Sequence, residues 1–195
     1  MCTRERGLTL IEMIVFILVV SIALTAVLLA MNRTTSRSSD PLVRKQALAI
    51  AEGLLEEVQL MPYTYCDADD AHVTTARAAT VDATDAAQCA STADAIGPEA
   101  GETRYSASAP FDHVGDYAEF DTASATPSGV RDITGSHDGP AGYAASVSVQ
   151  QSALGNASYS VPGTSSVLVT VTVTGPGNES VRLQGYRTRY APRAP

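Results

Sequence analysis

Tryptophan is missing altogether, and phenylalanine occurs only three times in 195 residues. A chain this poor in large aromatics can build only a modest core, made mainly of Val, Leu, Ala and Tyr. Basic residues are scarce too: thirteen Lys and Arg stand against 21 Asp and Glu, a net charge of -8. That deficit argues against nucleic acid as the main partner, because phosphate binding rests on clustered cations. Cysteine is limited to Cys2, Cys66 and Cys89. No C-x-x-C and no neighbouring His cluster accompanies them, so no metal site is expected. The chain also lacks H-E-x-x-H and G-x-S-x-G, while His72, His113 and His137 are scattered through loop-like, solvated sequence. No enzyme activity and no cofactor are expected from such a pattern. Asp67, Asp69 and Asp70 could suggest a hard cation, but the glycine and terminal glutamate of a calcium loop are absent. They read as an acidic, solvated loop.

Against these absences stands one long apolar run. From Met13 to Met31 nineteen residues pass without a charge. At about 1.5 Å per residue they span roughly 28 Å as a helix, close to the hydrocarbon thickness of a bilayer. A cleaved secretory signal fits poorly, since Leu28 occupies a position where a small residue is wanted before a cut after Ala30. Flanking charge does not orient the span: Arg4 and Arg6 precede it, Arg33 and Arg37 follow it. Cys66 and Cys89, both beyond the span, suit a disulfide in an oxidising compartment, with free thiols as the alternative. The bridge would stabilise the fold by about 3 kcal/mol on loop-entropy grounds. Glu12 stands at the mouth of the apolar run, where an isolated acid is costly and calls for a partner.

After a polar stretch, Asp40-Pro41 forms a helix-start signal, an N-cap acid followed by proline in the first turn. Val43, Ala47, Ile50, Leu54, Val58 and Met61 then recur at spacings of three and four, the stripe of an amphipathic helix that Pro62 closes. Two helical pieces with a strained or melted joint near 32–41 are expected. Residues 62–142 read as loop, with short strands or turns hidden in a stretch too long to lack structure. Within them, Phe111, Val114, Tyr117 and Phe120 read either as aromatics tucked onto a sheet or as a subunit-contact surface. Further on, Val167, Val169, Val171 and Val173 alternate with mostly polar residues, as in a half-buried strand. Residues 175–179 are turn material, and 180–190 form the return strand, with Gly185 as a bulge that resets its register. Tyr143, Ala145, Val147 and Val149 mark a third strand. An antiparallel sheet covered by the amphipathic helix buries both apolar faces. Twelve acids in 67–121 face four Arg in 180–195, so pairing within the head or between subunits is expected.

A short basic leader ending in Gly7, then Leu8-Thr-Leu-Ile-Glu12 and an uninterrupted apolar helix, resembles the leader of type IV prepilins and pseudopilins. The resemblance implies an α+β pilin-like fold, a long N-terminal helix packed on a C-terminal antiparallel sheet. It implies cleavage between Gly7 and Leu8 by a prepilin peptidase, N-methylation of Leu8, and Glu12 as the acid needed for assembly. The amine freed on Leu8 would lie one helical turn from Glu12, so the acid can pair with its own or a neighbouring subunit's amine. The implied partners are that peptidase, other pilin subunits, the membrane and the inner-membrane assembly platform. The segments 41–66, 111–121 and 169–190 are similar to minor pilins of the mannose-sensitive haemagglutinin (MSHA) system, the MshD-like group. That implies a structural role in a surface pilus, assembled from an inner-membrane precursor whose head lies in the periplasm. Leader 1–7, membrane and filament helix 8–31, hinge and amphipathic helix 32–61 and head 62–195 are the divisions expected. A type II secretion pseudopilin and a bitopic membrane-anchored binding module are the alternatives.

Overall fold

The computed structural model describes residues 9–37, 41–156 and 158–189, in two compact units that divide after Pro41. The first unit is helix α1, Leu10–Arg37. Thr9 starts it by accepting the N–H groups of Glu12 (3.1 Å) and Met13 (3.2 Å) through its carbonyl. Leu10–Met31 is long and apolar enough to cross a membrane, and none of it is buried within the chain. Its two hydroxyls are satisfied locally, Ser21 donating to the Ile17 carbonyl and Thr25 to that of Ser21, each at 2.7 Å. That arrangement is what lipid requires of a polar side chain. The expected joint at 32–41 begins later than the polar composition suggested, because helix continues through Arg37. Backbone hydrogen bonding is local, so a polar sequence can continue a helix started by its apolar neighbour. Asp40, expected as the N-cap, lies outside the described residues.

The second unit begins at Leu42, the second residue of α2, Pro41–Leu60. Proline costs nothing in the first turn, where its missing N–H would have no helical partner. The helix buries Ala47, Ala51, Leu54 and Val58, with Val43, Ile50, Leu55 and Met61 packed along the flanks. They meet an antiparallel sheet of β1 (Ala144–Gln151), β4 (Ser166–Thr174) and β5 (Ser180–Thr188) in the order β1-β4-β5. A short hairpin of β2 (Leu154–Gly155) and β3 (Ser160–Val161) lies between β1 and β4 in sequence. Central β4 places Val167, Val169, Val171 and Val173 on the helix side, all fully buried. Each such valine contributes roughly 2 kcal/mol. Val147 pairs with Val171, and Val171 with Leu183, so one apolar row crosses the three strands. The architecture is thus α+β, an apolar helix followed by a second helix and an antiparallel sheet.

Gly185 is not a bulge. Its pairing with Val169 falls in an unbroken register from Ser166–Thr188 to Thr174–Ser180, and Tyr186 simply faces outward. The glycine makes room for the Gln59 side chain of α2, which lies where a Cβ would be. The parity of Tyr186, opposite to that of Val181 and Leu183, suggested a register shift, but strand β5 is an edge, so an outward tyrosine needs none.

Residues 62–142 contain no strand beyond isolated bridge pairs, and one 3-10 turn at Val114–Tyr117. Short strands or turns were expected there; turns are what fill it, tied together by side-chain links. Asp70 is buried, and its carboxylate accepts the N–H groups of His72, Ala90, Ser91 and Thr92 and the Ser91 hydroxyl, at 2.7–3.0 Å. It is therefore neither solvated nor open to a cation. Phe111, Val114, Tyr117 and Phe120 are core, not a subunit-contact surface: Val114 and Tyr117 are almost wholly buried. Phe111 meets Tyr117 edge-on with centroids 5.0 Å apart. Arg187 and Arg189 find their partners away from the acids. Arg187 donates to the Met61 carbonyl at 3.1 Å. Arg189 donates to the carbonyls of Thr64 and Thr164, its guanidinium between the rings of Tyr63 and Tyr65 at 4.2 and 4.3 Å. Burying a guanidinium against rings and carbonyls satisfies its donors without a carboxylate.

Candidate functional site

Two places in the chain gather the groups that matter for function. The first is the start of α1. Glu12 lies in the first helical turn with its side chain exposed, where the N-terminal end of the helix favours a negative charge. Beyond it Leu10–Met31 presents apolar side chains on all faces, with Phe16, Ile22 and Leu28 all more than half exposed. A helix that is apolar all round must be covered by lipid or by other helices. Gly7 and Leu8, the expected cleavage and methylation positions, lie outside the described residues, and so does the amine half of the expected ion pair with Glu12.

The expected cysteine pair lies within the second unit. Cys66 and Cys89 are joined, with Cα atoms 5.4 Å apart, and both are fully buried beside Ala76. The bridge closes the loop that Asp70 organises. Burial first pushes the Asp70 carboxyl up, but the N–H donors of Ala90, Thr92, His72 and Ser91 together outweigh it and hold it below the usual carboxylate range.

The second place was not read from the sequence. His113, expected in solvent, is buried and caps the 3-10 turn. Its Nδ1 lies 3.0 Å from the Gly115 amide, its Nε2 3.2 Å from the Thr64 amide. Asp94 Oδ2 stands 2.9 Å from Nδ1, and neither Asp94 oxygen has a partner besides that ring. Asp116 is fully buried; its Oδ2 accepts the amides of Asp112 (3.0 Å) and His113 (2.7 Å), while Oδ1 has no partner. Single atoms of Asp94, His113 and Asp116 lie within 4.8 Å of one another, as do those of Glu99, Glu102 and Asp116. Crowding marks their titration. Burial, then the hydrogen bond to Glu99, pushes the Glu102 carboxyl up to about 7. Burial pushes Asp116 up to about 6 against its two amide donors, and burial raises Glu99 and Asp112 as well. The sequence signal was slight: Glu99 and Glu102 are three apart, Asp112 and Asp116 four apart, and nothing local announces that the turns bury them together.

Residues 2–28 match the family model for the prokaryotic N-terminal methylation motif. No curated protein and no solved structure matches the chain. The match covers Gly7, Leu8, Glu12 and most of the apolar run, and such motifs mark structural subunits processed by a prepilin peptidase and anchored by this helix. The chain thus carries the N-terminal methylation motif on a membrane-length helix, which supports a type IV pilin or pseudopilin.

Proposed function

We propose that the chain is a minor pilin of a type IV pilus of the MSHA kind. It is made as an inner-membrane precursor with a periplasmic head, cut after Gly7, methylated on Leu8 and built into a surface filament or its priming complex. In this reading residues 1–7 are the leader, 8–31 the membrane and filament-core helix, 32–61 hinge and amphipathic helix, and 62–195 the head. The observation that carries it is Glu12 in the first turn of an uncovered apolar helix, inside the matched methylation motif. In the bilayer that helix meets lipid; in a filament it meets copies of itself or of other pilins. An acid and an amine four residues apart then set the axial register, because a mismatched subunit leaves charge unpaired in an apolar core. The similarity of the later segments to MSHA minor pilins supports the choice of a pilus subunit.

Mass spectrometry of the native N-terminus, together with detection of the protein in filaments sheared from the cell surface, tests the reading. A chain beginning at methylated Leu8 and present in sheared pili is expected. An intact Met1 end refutes the pilin assignment and favours a bitopic binding module. A cut, methylated chain confined to the envelope and absent from filaments refutes the pilus in favour of a secretion pseudopilus.

A further inference from the structure

The buried acids of the head pose a problem that the protein groups do not solve. Asp116 has one carboxylate oxygen without a partner, and Asp94 meets only the ring of His113. Both residues are more than nine-tenths buried. An ionised carboxylate left in that state costs several kcal/mol unless a positive charge or a proton offsets it. Arg104, a buried cation of the same region, is engaged by Glu57 on another face. An imidazole cannot accept at both ring nitrogens, so His113, whose Nδ1 stands 2.9 Å from Asp94 Oδ2, serves Asp94 and leaves Asp116 unrelieved.

We propose that Glu99, Glu102 and Asp116, whose carboxylate oxygens lie within 4.8 Å of one another, form a divalent-cation site of the calcium class. The donors are all oxygen, as hard cations require. Among the described residues no thiolate is on hand, because Cys66 and Cys89 are bridged, and the three-acid group contains no imidazole, so zinc and copper lack their preferred ligands there. Asp116 supplies the dry side of the shell; Glu99 and Glu102, half-buried, supply the side open to water. An irregular shell of several carboxylates with a few waters suits calcium, which takes six to eight oxygens in flexible geometry. Magnesium demands a near-ideal octahedron and keeps more of its own water.

The location gives the ion a task. Glu99 and Glu102 close a turn of their own, and Asp116 belongs to the 3-10 turn, joined to that loop by Gly97 N–H to Gly115 O at 3.0 Å. One ion ties together two segments that share no sheet.

The test uses the full-length chain in detergent, stripped with a chelator and then titrated with calcium by calorimetry, with thermal unfolding alongside. Saturable binding of one calcium and a rise in unfolding temperature are expected, with magnesium at equal concentration giving neither. Glu99→Gln and Glu102→Gln should each weaken calcium binding by about tenfold or more. The stripped variants should unfold no lower than the stripped parent, since each substitution removes one of the crowded charges. The paired Asp67→Asn and Asp69→Asn control should bind like the parent. Absence of binding in the parent overturns the site. So does binding that both glutamine variants retain, and an equal response to magnesium overturns the calcium class.

Discussion

Arg104 and Glu57 meet fork to fork: Nε lies 2.6 Å from Oε1 and Nη2 lies 2.6 Å from Oε2. Both side chains are almost sealed from water, at 5% and 13% exposure. Tyr117 donates its hydroxyl to the same Oε1 at 2.7 Å. Burial, then the Glu57 charge, pushes the Tyr117 hydroxyl well above its ordinary range, so it stays a donor. A long strandless segment is thereby fastened to α2. Arg104→Met leaves Glu57 buried without its cation and should cost about 3–5 kcal/mol in denaturant unfolding. Adding Glu57→Met should recover a large part of that loss, because a buried pair replaced by apolar side chains of similar size is often near neutral. A single variant as stable as the parent would show that the pair contributes nothing.

This pair also shows where sequence reading stops. The valines of β4 and the stripe of α2 were legible because helices and strands bury residues at fixed periods, and those periods survive in a single sequence. Glu57 and Arg104 are 47 residues apart, and no period connects them. The same holds for Asp70 with Ala90 to Thr92, and for Asp94 with His113 and Asp116. Links of this kind depend on how loops return in space, and charge alone suggested solvent. Cys66 and Cys89 were the exception, since a cysteine pair has few other uses in an oxidising setting.

Asp70 predicts how the disulfide loop responds to acid. Its folded carboxyl is held below the usual range by four amide donors, against the upward push of burial. A depressed acid contributes stability that is complete above the unfolded value of about 3.9 and is lost as pH falls through the lower folded value. Protection of Ala90, Ser91 and Thr92 from hydrogen exchange, taken relative to their intrinsic rates, should therefore hold as the pH is lowered to about 4 and fall only below it. Asp70→Asn puts a donor where Ser91 and Thr92 need an acceptor. Those amides should exchange faster in the variant at every pH, while β4 remains protected. Unchanged protection at 90–92 would remove Asp70 from its role.

Two glycines should answer oppositely to alanine. At Gly115 a Cβ would meet the Ala95 carbonyl oxygen and, at 2.8 Å, His113 Nδ1. Neither can retreat without moving the buried turn, so Gly115→Ala should cost about 1–3 kcal/mol. At Gly185 the obstacle is the end of the Gln59 side chain, which can swing into solvent. Gly185→Ala should therefore cost less than about 1 kcal/mol, and Gln59→Ala should abolish that cost. Equal losses at both positions in thermal unfolding would contradict this.

Glu12 separates insertion from assembly. Glu12→Ala leaves the apolar run Met13–Met31 intact and removes an acid from the first turn of α1, so the amount of protein in the inner membrane should not fall. In a filament the same change strips the counter-charge from an amine in an apolar core. That penalty is about 3 kcal/mol per subunit, equivalent to roughly a hundredfold lower incorporation. Quantifying the variant against the parent in membranes and in sheared filaments of the same cells distinguishes the two effects. A fall in filaments alone is expected. A matching fall in both fractions would make Glu12 a residue of insertion, and normal filament content would remove it from assembly altogether.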